Sequence, residues 1–80
     1  MDMMLEEELI DLMTFCLQNP TSSEIKDKHS RIIEIGGEIH ADGGDDAIEN
    51  FSFVLKNRIT QEIEKDPSPL LTLWNGLTNE

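Results

Sequence analysis

Residues 42–46, with the sequence DGGDD, decide how this chain folds. Glycine readily adopts the left-handed conformation that ends a helix, and aspartate is a favoured first residue of the next helix. Apolar residues recur at helical spacing on both sides of this stretch. The sequence therefore predicts a short turn between two helices, at about residues 22–41 and 46–65.

The helix before this turn contains two adjacent glycines, Gly36 and Gly37. Two glycines inside a helix cost roughly 2 kcal/mol relative to alanine. They either let a neighbouring helix approach closely or let the helix kink, and we expect a continuous helix. Thr21 to Glu24 have the form of a capping box that would start it. Its predicted apolar face consists of Ile25, Ile32, Ile33, Gly36, Ile39 and His40.

Two further helices are predicted, at residues 3–18 and 69–75. Asn19-Pro20 would end the first, because proline pushes the preceding residue out of the helical region. Pro69 suits the first position of the last helix, which Asn75-Gly76 would close. Short loops force consecutive helices to run antiparallel. We therefore predict one all-α domain over residues 1–80, an antiparallel three-helix bundle with a short fourth C-terminal helix.

The charge of the chain is strongly negative and unevenly spaced. There are 17 Asp and Glu against 6 Lys and Arg, a formal net charge of -11. No Lys or Arg precedes Lys26, and none lies between Arg31 and Lys56. In an antiparallel bundle these acidic stretches would meet at one end, with all the basic residues toward the other. We call this expected surface the acidic pole, made of Asp2, Glu6, Glu7, Glu8, Glu34, Glu38, Asp42, Asp45, Asp46 and Glu49.

An acidic protein repels nucleic acids and anionic membranes, so direct binding to either is not expected. The acidic pole is either a solvated surface or a docking surface for a basic protein. Residues 70–77 add a Leu-rich patch in which Trp74 either seals the bundle or serves as an exposed anchor. Protein–protein interaction is the predicted function. The predicted contact residues are Glu6, Glu7, Glu38, Asp42, Asp45, Asp46, Glu49, Leu71 and Trp74.

Two alternatives remain, a nucleic-acid mimic that occupies a DNA-binding protein and a weak divalent-cation binder. The DGGDD stretch lacks the alternating oxygen ligands of a calcium loop. His40 could pair with Asp42 or with another carboxylate of the acidic pole. No nucleophile, phosphate-loop or Cys/His motif is present, so no catalytic residue, metal site or cofactor is predicted. We expect a protein that is not an enzyme.

Cellular location and assembly are predicted from small features. The acidic N-terminal residues exclude a signal peptide, and Cys16, the single cysteine, fits a reducing compartment. A cytoplasmic protein is expected, with Cys16 as a small buried residue of the first helix. Eighty residues bury only a modest core, so we expect a monomer or a weak homodimer.

Part of the sequence resembles a pattern in small uncharacterised bacterial helical proteins. The matching pieces are Gly43-Gly44, Ala47, Phe51 and the sequence LLTLWNGL at residues 70–77. The resemblance covers about residues 35–77. It implies a bacterial helical domain in which these residues have structural roles, and it implies no activity.

Overall fold

The computed structural model describes residues 3–78, and all regular structure within that range is helical. The predicted all-α class is therefore confirmed. Asp2, a predicted member of the acidic pole, lies outside the described residues. The elements are α1 (Met3–Gln18), α2 (Ile25–Ile63), α3 (Ser68–Leu71), a 3-10 turn (Thr72–Trp74) and α4 (Asn75–Thr78).

The long helix α2 is sharply bent at Gly44, whose torsion angles are φ 69° and ψ -158°. We call residues 25–43 its first arm and residues 45–63 its second arm. A straight helix of 39 residues would be about 58 Å long, whereas the longest dimension of the molecule is 31 Å. The predicted turn is thus compressed into a single glycine, with helix resuming directly on both sides.

The start of α2 differs from the predicted capping box. The helix begins at Ile25, and no side chain caps its first N–H groups. Instead, Ser22 organises the preceding turn. Its Oγ accepts a hydrogen bond from the Glu24 N–H at 3.1 Å, and its carbonyl accepts one from the Ile25 N–H at 3.2 Å. Thr21 therefore does not act as the N-cap.

The end of α2 is closed by Glu64, which takes the left-handed conformation at φ 55°. Its N–H donates to the Thr60 carbonyl at 3.0 Å. This position is normally occupied by glycine, because a Cβ makes left-handed torsion angles unfavourable. The helix consequently stops two residues before the predicted boundary at residue 65.

The C-terminal turns, which comprise α3, the 3-10 turn and α4, begin at Ser68. The side chain of Asp66 fixes the backbone at this start. The Asp66 carboxylate accepts hydrogen bonds from the Ser68 N–H at 2.9 Å and the Ser68 hydroxyl at 2.7 Å. These bonds lower the pKa of Asp66. Asn75 and Gly76 were predicted to end the last helix. They lie instead inside α4.

The core is built from apolar residues of α1, both arms of α2 and the C-terminal turns. Ile10 and Ile35 belong to it, although neither was predicted, whereas Ile33 was predicted and is 41% exposed. Successive helical residues are turned by about 100°, so Ile33 cannot share the stripe of Ile32 and Ile35. The buried apolar residues are Leu9, Ile10, Met13, Cys16, Ile32, Ile35, Ile39, Ile48, Phe51, Leu55, Ile59, Leu70 and Trp74.

Gly36 is buried beneath Trp74, within the continuous first arm that we expected. A Cβ at residue 36 would lie 2.6 Å from Trp74 Cδ1 and closer still to Nε1. The indole N–H donates to the Ile32 carbonyl at 2.9 Å, one turn earlier in the helix. The indole ring of Trp74 is therefore the group that approaches the helix closely, and it does so at Gly36. Gly37 faces open space.

Candidate interaction groove

The charges do not separate into an acidic and a basic end. Arg58 Nη1 donates to Glu6 at 2.8 Å and to Glu7 at 3.1 Å, and Arg58 Nη2 lies 3.3 Å from Glu62. Glu6 is the most enclosed of these carboxylates, with 16% of its side chain exposed. Arg58 was expected at the opposite end from Glu6 and Glu7. The prediction of an acidic pole without basic residues is therefore wrong for this part of the surface.

Arg31 pairs with carboxylates in a second part of the expected acidic pole. Its Nε and Nη2 donate to the two oxygens of Glu8, at 2.7 and 3.1 Å. Nη1 donates to Glu34 at 2.6 Å and lies 3.7 Å from Glu38. The hydrogen bonds from Arg31 lower the pKa of Glu8, and the paired carboxylates raise the pKa of Arg31. Glu8, Glu34 and Glu38 thus share one guanidinium.

The remaining carboxylates of the expected acidic pole surround the bend of α2. Asp42, Asp46 and Glu49 are exposed, and within residues 3–78 their carboxylates make no ion pair or hydrogen bond. Asp45 lies 2.8 Å from His40 Nε2, across the bend. The expected pairing of His40 with a carboxylate is thus present, with Asp45 instead of Asp42. The positive end of the second arm's dipole favours the acidic residues that begin that arm.

Four of the predicted contact residues line one open groove of about 390 Å³. Asp45 and Glu49 come from the first turns of the second arm, and Leu71 and Trp74 from the C-terminal turns. The groove lies between these two segments, and we call it the acidic groove. Its lining residues are Asp45, Ile48, Glu49, Ser52, Ser68, Leu71, Thr72, Trp74 and Asn75.

The acidic groove combines an apolar base with an anionic wall. Ile48 and Trp74 are 6% and 1% exposed and form part of the core, whereas Leu71 is half-buried. Asp45 and Glu49 are exposed at the wall. None of the described lining residues is Lys or Arg. This arrangement can accept a cationic group that carries an apolar stem.

Trp74 reaches the acidic groove only as part of its base. Its indole is 1% exposed, packs over Gly36 and donates its N–H to Ile32. Of the two roles considered for this residue, sealing the core is the one observed. The alternative of an exposed anchor is wrong, because burial leaves almost none of the ring for a partner to contact. Leu71 is the more accessible apolar residue of the two.

A second pocket, of about 490 Å³, lies on the other side of the second arm. It joins Leu5 of α1 to the end of the first arm and the beginning of the second. Glu38 and Asp42, two predicted contact residues, stand in its lining, and Glu38 is near Arg31. The lining residues are Leu5, Glu38, Ile39, Asp42, Ala47, Asn50 and Phe51.

The nine predicted contact residues are therefore divided among several places. Asp46 lines neither pocket, and Glu6 and Glu7 are held by Arg58. The uncharged polar residues of the acidic groove were not predicted, because isolated hydroxyl and amide side chains show no periodic pattern in the sequence. These missed residues are Ser52, Ser68, Thr72 and Asn75.

A metal-binding cluster and a membrane-spanning helix are both absent from residues 3–78. No three His, Cys, Asp or Glu side chains in this range come together in a way that could hold a metal ion. No described helix has both the length and the apolar character needed to cross a membrane.

Comparison of the sequence with known protein families, with curated proteins and with solved structures finds no match.

Proposed function

We propose that this chain is a non-catalytic binding protein that recognises a basic segment of another protein in the acidic groove. One observation carries the proposal. Asp45 and Glu49 line the same groove as Leu71 and Trp74, although the two pairs are far apart in the sequence. The two surfaces predicted separately, one acidic and one apolar, are thus parts of one concave surface.

The chemistry of the groove favours a Lys or Arg side chain of the partner. Its charged head would lie beside Asp45 and Glu49, and its methylene stem would pack on Leu71. A volume of about 390 Å³ is at the small end of ligand sites, which fits one or two side chains of a segment. The net charge of -11 would speed the approach of a basic partner and make the affinity fall with salt.

The proposal takes the chain as one antiparallel three-helix bundle, with the C-terminal turns packed against it. Two observations support this arrangement. The bend at Gly44 keeps a 39-residue helix within a molecule 31 Å long. The second pocket places Leu5, near the start of α1, beside the end of the first arm and the start of the second. An acidic chain with one cysteine suits a reducing cytoplasm.

Affinity capture from a cell lysate tests the proposal. The bait is the full chain, compared with Asp45→Lys/Glu49→Lys, which reverses the charge of the groove wall. Asp11→Lys/Asp27→Lys is the matched control, because both residues are exposed and neither makes an ion pair within the described range. We expect basic proteins that elute below about 0.3 M salt. They should be lost with the groove variant and kept with the control.

Capture that is equal with both variants would contradict a role for the groove and leave only diffuse charge attraction. DNA-binding proteins released by competing duplex DNA would instead favour the nucleic-acid mimic. That alternative is weaker, because Arg31 and Arg58 pair with several of the carboxylates that would have to imitate phosphates. The groove proposal requires no regular row of charges.

A further inference from the structure

The bend at Gly44 has the geometry of a single-residue hinge. Helix α2 is helical up to residue 43 and again from residue 45, and Gly44 has the non-helical torsion angles that separate the two arms. The positive φ of 69° is one that residues with a Cβ adopt only under strain. A change of torsion at this residue is enough to convert the two arms into one continuous helix.

Contacts that hold the bend closed join residues before Gly44 to residues after it. The Trp74 indole donates to the Ile32 carbonyl, and Arg58 pairs with Glu6. The core is shared in the same way, since each side of the hinge contributes buried residues. Each side is therefore complementary to the other side of an identical chain as well as to its own.

We propose that two copies of this chain exchange the residues after Gly44, so that residues 45–78 of each copy pack on residues 3–43 of the other. The exchanged dimer retains the core, the Trp74–Ile32 hydrogen bond and the Arg58–Glu6 ion pair, now between chains. It replaces the bend with continuous helix, and the protein concentration sets the proportion of the dimer. The proposal does not depend on the basic partner.

The exchange has different consequences for the two pockets. The acidic groove is lined only by residues after the hinge, so an exchanged dimer carries two intact copies of it. The second pocket is lined from both sides of the hinge. In the dimer the partner copy supplies Ala47, Asn50 and Phe51 to Leu5 and Asp42. Exchange would therefore double the groove and make the second pocket a composite of two chains.

Gly44→Ala tests the hinge, with Gly37→Ala as the matched control. Both substitutions add one Cβ in open space, but Gly37 is helical and Gly44 is not. Light scattering coupled to size exclusion, at about 0.5 mM protein, should show twice the monomer mass for Gly44→Ala and the monomer mass for Gly37→Ala. Circular dichroism should show the same helix content in both.

A folded, monomeric Gly44→Ala would overturn the proposal. So would a dimer that dissociates within seconds of dilution, because exchanged chains must open their cores before they separate. If Gly44→Ala does not fold, the unsubstituted chain is refolded at the same concentration beside a variant with Gly-Ser-Gly inserted after Gly44. The proposal requires a dimer only without the insertion, and monomers from both would overturn it.

Discussion

The Trp74 indole lies directly over Gly36 and fixes the C-terminal turns to the middle of the first arm. A side chain at residue 36 has no room, since its Cβ would be 2.6 Å from Trp74 Cδ1. The same ring donates a hydrogen bond to Ile32. A helix-destabilising glycine is therefore retained at the position where the aromatic ring must approach the backbone.

Gly36→Ala should reduce the free energy of unfolding by about 2 to 3 kcal/mol, because the core would be overpacked and the indole displaced. Gly37→Ala should increase it by about 0.5 to 1 kcal/mol, since alanine is the better helix former and nothing lies near its Cβ. Urea denaturation measures both. Equal effects of the two substitutions would contradict the packing of Trp74 on Gly36.

Glu64 offers a second prediction, because it closes α2 with left-handed torsion angles. Glu64→Gly should stabilise the protein by about 0.5 to 1 kcal/mol, since glycine adopts φ 55° without a Cβ penalty. Gln61→Gly, within the last helical turn, should have the opposite sign by a similar amount. Thermal melts would show this difference, and destabilisation by both would argue against the left-handed cap.

The pairing of Glu8 with Arg31 predicts a contribution to stability that depends on pH. The pKa of Glu8 is below its ordinary value of 4.5, chiefly because Arg31 donates hydrogen bonds to the carboxylate. Its contribution is therefore complete above pH 4.5 and is lost as the pH falls through the folded-state pKa. Glu8→Gln should cost about 0.5 to 1 kcal/mol at pH 7, since the pair is partly exposed.

The difference in unfolding free energy between the unsubstituted chain and Glu8→Gln should be smaller at pH 2 than at pH 7, because Glu8 becomes protonated as the pH falls. Asp11→Asn is the control, because this exposed carboxylate makes no ion pair or hydrogen bond within residues 3–78. We expect it to leave stability unchanged at both pH values. A Glu8→Gln effect that persists in acid would show that packing, not charge, is responsible.

Cys16 is expected to react with thiol reagents only when the chain unfolds. Its side chain is 5% exposed, and burial raises the thiol pKa, although the charge of Lys28 opposes this shift. Labelling with a disulfide reagent should therefore be slow in the native protein and faster in Gly36→Ala. Rapid, complete labelling of the native chain would contradict its burial.

The sequence predicted the helices because the apolar periodicity is strong around residues 5–17 and 48–59. It placed Ile33 on the apolar face instead of Ile35, because three isoleucines in four residues satisfy more than one helical register. The sequence also could not show how many residues the turn at Gly44 contains. Glycine permits both a multi-residue loop and a single left-handed residue, and only packing of the two arms distinguishes them.

The predicted charge separation failed for a different reason. It assumed that each charge lies level with its own Cα along the axis of the bundle. The long side chains of Arg31 and Arg58 instead cross between helices to reach Glu8 and Glu6. The carboxylates near the bend kept their exposure because no arginine is within reach. The acidic groove could not be found from the sequence, since it depends on where residues 68–75 pack.

The most direct test of the groove is a binding titration with a fluorescein-labelled peptide of alternating Lys and Leu, followed by fluorescence anisotropy. Asp45→Asn/Glu49→Gln should weaken binding about tenfold, equivalent to about 1.4 kcal/mol. Asp11→Asn/Asp27→Asn removes the same charge elsewhere and should leave the affinity nearly unchanged. Equal weakening by both pairs, or no weakening by the groove pair, would contradict the acidic groove as the binding surface.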